Sequence, residues 1–221
     1  MRRVVIIGAG GFAREVLDVI DAANGVRPSM EPVGWIVDRQ YAEPGAVIND
    51  LPVLGGFEWL AEHAGEVHAV CGVGAPELRR KLVARARDAG VPFCSVIHPN
   101  AVLTRWITLG DGVVITAGCI LTNNIRIGDH VHINLDCTIG HDVVIEPFVT
   151  LSPGVHVSGN VHLEEGSAVG TGTNIIEKKR IGAWSVVGAG STVVSDVPAN
   201  STVVGVPGKT IKTRADGWHL N

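Results

Sequence analysis

The chain has no CxxC pair. Its four cysteines, Cys71, Cys94, Cys119 and Cys137, lie far apart, which argues against a zinc or thioredoxin-type site. No basic run exceeds Lys178-Lys179-Arg180. With a net charge of −4 and a pI near 6.1, a nucleic-acid partner has little electrostatic support. No stretch approaches the length of a membrane span. The opening MRRVVIIGAGG places two arginines before an apolar run, but glycine interrupts that run and no small-residue cleavage site follows. A cytoplasmic protein with reduced thiols is therefore expected. Charged residues are 18% and aromatics 5%, against 46% hydrophobic residues and 28 glycines. That balance describes an ordered chain punctuated by glycine.

The 221 residues are read as two domains, 1–95 and 96–221. The first alternates strand-like and helix-like segments. VVIIG (4–8) is an apolar run ending in glycine. FAREVLDVIDAA (12–23) sets Phe12, Val16, Val19, Ile20 and Ala23 on one helical face. VGWIVD (33–38), VHAVCGVG (67–74) and VPFCSVI (91–97) read as strands. FEWLAEHA (57–64) and PELRRKLVARARDAG (76–90) read as helices, the latter opened by Pro76. The alternation predicts a small parallel sheet covered by helices, a Rossmann-like α/β domain.

From residue 97 the rhythm changes. Every sixth residue from Ile97 to Val193 is aliphatic, and a second column two residues earlier is mostly small or β-branched. A fixed short period with an inward aliphatic, a turn residue and a small inward residue is the hexapeptide β-helix pattern. Three hexads close one triangular coil, so residues 18 apart stack. Lys179 breaks the second column, and a local bulge with its ammonium outside is expected there.

In this frame NLDCTIGHDVVIE (134–146) becomes informative. His141 falls two residues after inward Ile139, past Gly140, at or just beyond a corner and facing out. Gly159 is 18 residues later, one coil above. A base and a backbone N–H are thus stacked closely enough to serve one carbonyl. A prism wall has no pocket of its own, so such a site needs a cleft between copies. His130, His132, His156 and His162 are read as surface or interface residues. No set of histidines has a zinc arrangement, and no metal is expected. Cys119 and Cys137, also 18 apart, are read as small core residues.

These motifs carry a family resemblance. GAGGFAREV, VGAPELRRKL, INLDCTIGHDVVIE, SPGVHVSGNV, VGTGT and VVGAGSTVVSDVPANSTVVGVPGK occur in order over nearly the whole chain. The chain resembles bacterial sugar acyltransferases of the left-handed β-helix superfamily, in particular nucleotide-amino-sugar N-acetyltransferases and sialic-acid O-acetyltransferases. The resemblance implies a left-handed parallel β-helix and a homotrimer. It also implies direct acetyl transfer from acetyl-CoA to the amine of a nucleotide-linked amino-deoxysugar. O-acetylation of a sugar such as sialic acid is the alternative within the same chemistry. A non-catalytic β-helix scaffold is the alternative outside it.

Residue by residue, His141 matches the general base and Asp142 its acidic neighbour. Asn134 matches a polar site residue, and Gly159 the oxyanion-hole amide. GAGGFA (8–13) fits GxGxxG/A, so Gly8, Gly10, Gly11 and Phe12 are expected around a phosphate-bearing ligand at a helix N-terminus. Asp38 would meet base or ribose, and Arg79 matches a further family position. Phe12 and Thr150 stand where many or some of the resembled enzymes carry histidine. Thr171, Ala189 and Gly190 match positions along the pantetheine arm of CoA. Pro207 and Lys209 match the segment near its adenine end.

Overall fold

The computed structural model describes residues 1–220. They form two compact units, residues 1–74 with 78–99, and residues 75–77 with 100 onward.

The first unit is built on β1 (Arg2–Ile7), α1 (Gly11–Val26), β2 (Met30–Ile36), β3 (Val47–Ile48), β4 (Leu51–Gly55), α2 (Phe57–Glu62), β5 (His68–Cys71) and α3 (Pro76–Asp88). The sheet order is β3-β4-β2-β1-β5, with β1, β2, β4 and β5 parallel. Val4, Val5, Ile6 and Ile7 are buried on both faces, which explains an unbroken apolar run instead of alternation. α1 buries Ala13, Val16, Leu17, Val19 and Ile20. Gly72 permits this close docking, since a Cβ there would lie 2.5 Å from Ala13 Cα. The β3–β4 hairpin was not expected. Its two-residue turn, Asn49-Asp50, has φ of 45° and 60°, the geometry that twists a tight hairpin correctly. Buried Trp35 ties the hairpin down by donating its indole N–H to Ile48 O and Leu51 O. VPFCSVI does not form the long strand expected; only Phe93 bridges the sheet, at Ala69.

The second unit is a parallel β-helix of triangular section. One wall stacks strands from Val102–Leu103 through Thr138–Ile139 to Thr192–Val193. The next runs from Ile107–Leu109 through Val144–Ile145 to Arg180–Ile181, and the third from Val114–Ile115 through Thr150–Leu151 to Ser201–Val204. Register is 18 residues up to Asn174↔Thr192, as in Thr138↔His156, Val144↔His162 and Thr150↔Ala168, and shortens to 16 in the last rung, at Ile181↔Val197 and Val186↔Thr202. Lys209–Thr213 then turns back antiparallel and covers the last rung. The aliphatic column is buried from Ile115 to Val193, each side chain stabilising by about 1.5–3 kcal/mol. The companion column is sealed at Cys119, Cys137, Ser167, Thr173, Ser185 and Ser191, all at 0% exposure, while Lys179 is half-buried.

The corners show why the hexad needs its polar residues. Every sixth residue from Gly112 to Gly190 has φ between +52° and +75°. Gly, Asn and Asp tolerate this conformation; other residues pay about 1–2 kcal/mol. His130, Phe148 and Trp184 occupy such positions on one edge, where His130 stacks on Phe148 and Trp184 on His219. The bulge expected at Lys179 does not form. His162↔Arg180 and Leu163↔Ile181 keep the register, and Lys178 simply takes the next left-handed corner with φ 58°.

Candidate active site

His141 lies on the edge joining the first and second walls. Its side chain is 62% exposed, and its Nδ1 is 2.8 Å from Asp142 Oδ2. A carboxylate can only accept, so Nδ1 carries the proton and the Nε2 lone pair faces outward as a base. Asp142 is a left-handed corner residue with φ 59°, and this conformation turns its side chain back to the imidazole. The Asp142 carboxyl is held below the usual carboxylate range, first by the hydrogen bond with His141 and then by one from Asn124.

Asn124 was missed by the sequence reading. Its Nδ2 donates to Asp142 Oδ1 at 3.2 Å from one coil below. The 18-residue rule pointed to it, because 124 is the corner position beneath 142.

Gly159 packs against the imidazole. A Cβ at 159 would lie 2.6 Å from His141 Nε2, so no larger residue fits there without displacing the ring. The Gly159 carbonyl accepts from Lys178 N–H, while its own N–H has no protein acceptor among the described residues. On the edge joining the second and third walls the same hexad position is closed. Asp129 accepts from Asp111 N–H, Glu146 from Glu165 N–H and Glu164 from Ala183 N–H. The N–H beside His141 is left open.

Asn134 does not join this group. It is buried at 8% exposure and donates its amide to Leu151 O at 2.7 Å. Within one chain it braces the third wall. His130 and His132 are not surface residues, as expected, but are fully buried. His130 is held in a left-handed corner against Phe148. His156 is exposed and pairs with Thr138 Oγ1; His162 binds Glu146. Among the described residues no cluster of three metal-ligating side chains occurs. The four thiols are free and buried, and burial pushes Cys71 up to about 11 and Cys94 upward, so neither of these two is an activated nucleophile.

Thr171 and Ala189 stack on the edge joining the third and first walls. Both are exposed, as is Gly190, whose N–H goes to Thr171 O. The N–H groups of Thr171 and Ala189 have no protein acceptor among the described residues. Pro207 follows a cis bond to Val206 and is exposed. Lys209 is exposed at the start of the final strand.

In the first unit, a cavity of about 710 Å³ opens at the C-terminal ends of β1 and β2. Its lining includes Gly8, Gly10, Asp38, Phe57 and Arg85. It lies where the strand order reverses, beside the start of α1. Gly8 has φ +95°, and its amide is tied to Ile36 O. Gly11 is exposed in the first helical turn and Phe12 is half-buried there. Arg85 was another omission. It grips Asp38 with two hydrogen bonds, at 3.1 and 3.3 Å, and lies 3.8 Å over the Phe57 ring. Arg79 is corrected as a ligand contact. It is fully buried and donates to the carbonyls of Val73 and Gly74, shaping the loop after β5.

A triangular β-helix with an exposed His–Asp dyad against an open amide defines a left-handed β-helix acyltransferase. Comparison with known proteins narrows this class. The PglD N-terminal domain family matches residues 3–86. PerB from Caulobacter crescentus, solved in complex with CoA and GDP-perosamine, is 31% identical with a TM-score of 0.87, covering 96% of this chain and 98% of that one. The acetyltransferase domain of PglB from Neisseria gonorrhoeae, solved with acetyl coenzyme A, is 30% identical with a TM-score of 0.86, covering 95% and 99%. UDP-N-acetylbacillosamine N-acetyltransferase of Bacillus subtilis is 32% identical over 127 residues, 53% of this chain. The chain spans about half the length of that curated relative, 52%. The protein belongs to the hexapeptide-repeat family of nucleotide-amino-sugar N-acetyltransferases.

Proposed function

We propose that the protein transfers an acetyl group from acetyl-CoA to the amine of a nucleotide-linked amino-deoxysugar. The observation that carries this reading is the His141–Asp142 pair packed against the open N–H of Gly159. Asp142 fixes the tautomer, and His141 Nε2 takes the proton as the amine attacks the thioester carbon. The Gly159 N–H donates to the thioester oxygen as negative charge develops. The C–S bond then breaks, and the imidazolium returns its proton to the departing thiolate. The base contributes about 10²–10⁴ in rate and one such donor about 10²–10³.

The dyad and the Thr171–Ala189 amides lie on different edges of one prism, separated by a wall roughly 15 Å wide. One chain cannot bring its own pair together, and three copies arranged around an axis can. We therefore read the enzyme as a homotrimer, with Thr171, Ala189, Gly190, Pro207 and Lys209 serving CoA along the opposing edge. The cavity of the first unit would hold the nucleotide. The reading places the enzyme in the cytoplasm, in polysaccharide biosynthesis.

The test is CoA release from acetyl-CoA with GDP-perosamine, UDP- and dTDP-linked 4-amino sugars, and free sialic acid. Turnover is expected with an amino sugar and not with sialic acid. His141→Ala should lower kcat by at least about 10² while the assembly mass is unchanged. Full activity in that variant would remove the dyad from the reaction.

A further inference from the structure

Trp106 is 56% exposed on the short link between Val102–Leu103 and Ile107–Leu109. The pairings Ile107↔Ile125 and Arg126↔Val144 place Trp106, Asn124 and Asp142 in one column along the edge of the prism. Arg105, Asn123 and His141 form the column beside it. Trp106 lines two cavities. One, of about 570 Å³, is walled by Val102, Arg105 and Ile120; the other, of about 420 Å³, by Thr108, Asn124, Arg126 and Asp142. Arg105 lines the first cavity and sets its guanidinium 4.7 Å from the indole centroid. The second cavity therefore runs from the indole, past Asn124, to the carboxylate that orients the base.

A single exposed tryptophan needs no explanation by itself. This one forms an apolar floor two layers below the dyad, roughly 10 Å along the edge, in a cavity lined by the polar Thr108, Asn124, Arg126 and Asp142 together with Ile125 and Val144. That combination suits a pyranose. One ring face is apolar C–H surface, and a deoxysugar adds a methyl, while the hydroxyls at the rim need donors and acceptors.

We propose that Trp106 is the acceptor-side platform of the site. The amino-sugar ring stacks on the indole, its hydroxyls meet Thr108, Asn124 and Arg126, and its amine is presented to His141. This makes Trp106 a specificity residue for the sugar, separate from nucleotide and CoA binding. The proposal rests on the acetyltransferase reading above.

The experiment compares wild type, Trp106→Ala and Trp106→Phe with GDP-perosamine and a UDP-linked 4-amino sugar. It measures KM for each substrate, affinity for the bare nucleoside diphosphate, and assembly mass. Trp106→Ala should raise the acceptor KM roughly tenfold, the order of one lost aromatic contact. KM for acetyl-CoA, affinity for the bare nucleotide and assembly mass should not move. Trp106→Phe should recover most of the acceptor affinity. An unchanged acceptor KM in an active Trp106→Ala variant overturns the platform and leaves the acetyltransferase reading standing. A fall in assembly mass overturns it in favour of a subunit contact. No turnover by wild type with any amino sugar sinks both.

Discussion

Asn124 and Asp142 meet across one coil, with the Asn124 amide donating to Asp142 Oδ1 while the other oxygen of that carboxylate holds His141. The base is therefore oriented through a relay of two corner residues 18 positions apart. Asn124→Gly keeps the left-handed backbone, since φ is 52° there, but removes the donor. The expected result is a several-fold loss in kcat with the fold intact. The acid limb of the pH–rate profile should also shift upward, because Asp142 loses one of the two hydrogen bonds holding its carboxyl down. A profile superimposable on wild type would show that Asn124 plays no part.

The same carboxylate makes a testable contribution to stability. Its folded pKa is depressed, chiefly by His141, so its contribution is fully present above the unfolded value and is lost as pH falls through the folded one. Asp142→Asn abolishes that contribution. The Tm gap between wild type and variant should be level above about pH 5 and close below about pH 4. A gap that widens on acidification would contradict the assignment. At neutral pH the variant should lose about 10²-fold or more in kcat through the wrong tautomer.

Two glycines on neighbouring coils should fail in different ways. A Cβ at Gly159 meets the side chain of His141 at 2.6 Å, which can swing out to solvent. A Cβ at Gly140 meets Gly159 N at 2.6 Å and Ser158 C at 2.8 Å, which are fixed in the ladder. Gly159→Ala should therefore cost about 10² in kcat with little change in Tm. Gly140→Ala should destabilise by about 1–3 kcal/mol. Paired kinetics and thermal melts decide it, and a large Tm loss in Gly159→Ala would show that the ring is not free to move.

Two arginines of the first unit should also separate. Arg79 is sealed, with its guanidinium on Val73 O and Gly74 O, so Arg79→Ala should cost about 3 kcal/mol of stability. Arg85 lies over Phe57 at the mouth of the 710 Å³ cavity, with its side chain 45% exposed. Arg85→Ala should leave the melt nearly unchanged and weaken nucleotide affinity roughly tenfold by calorimetry. Equal nucleotide affinity in that variant would assign the cavity another role.

The readable and unreadable parts of the sequence divide along a physical line. Ile115 to Val193 could be placed one by one, because burial demands an aliphatic at each inward step. His141 beneath Gly159 followed from the same count. The companion column even overstated its case at Lys179, where the register simply continued. The outward residues were harder. His130 and His132 look like surface residues but are sealed. Asn134 spends its amide on a carbonyl, Arg79 shapes a loop, and Arg85 pairs with a residue 47 positions away.

The sequence alone determined the period, and with it the coil, the register and the stacking of the base beneath its amide. Inward positions obey one rule, exclusion of water, and that rule repeats every six residues. Only the tertiary structure decided which outward side chains are covered and which partner each polar group takes. Those choices depend on groups brought together from distant segments, and no local pattern records them.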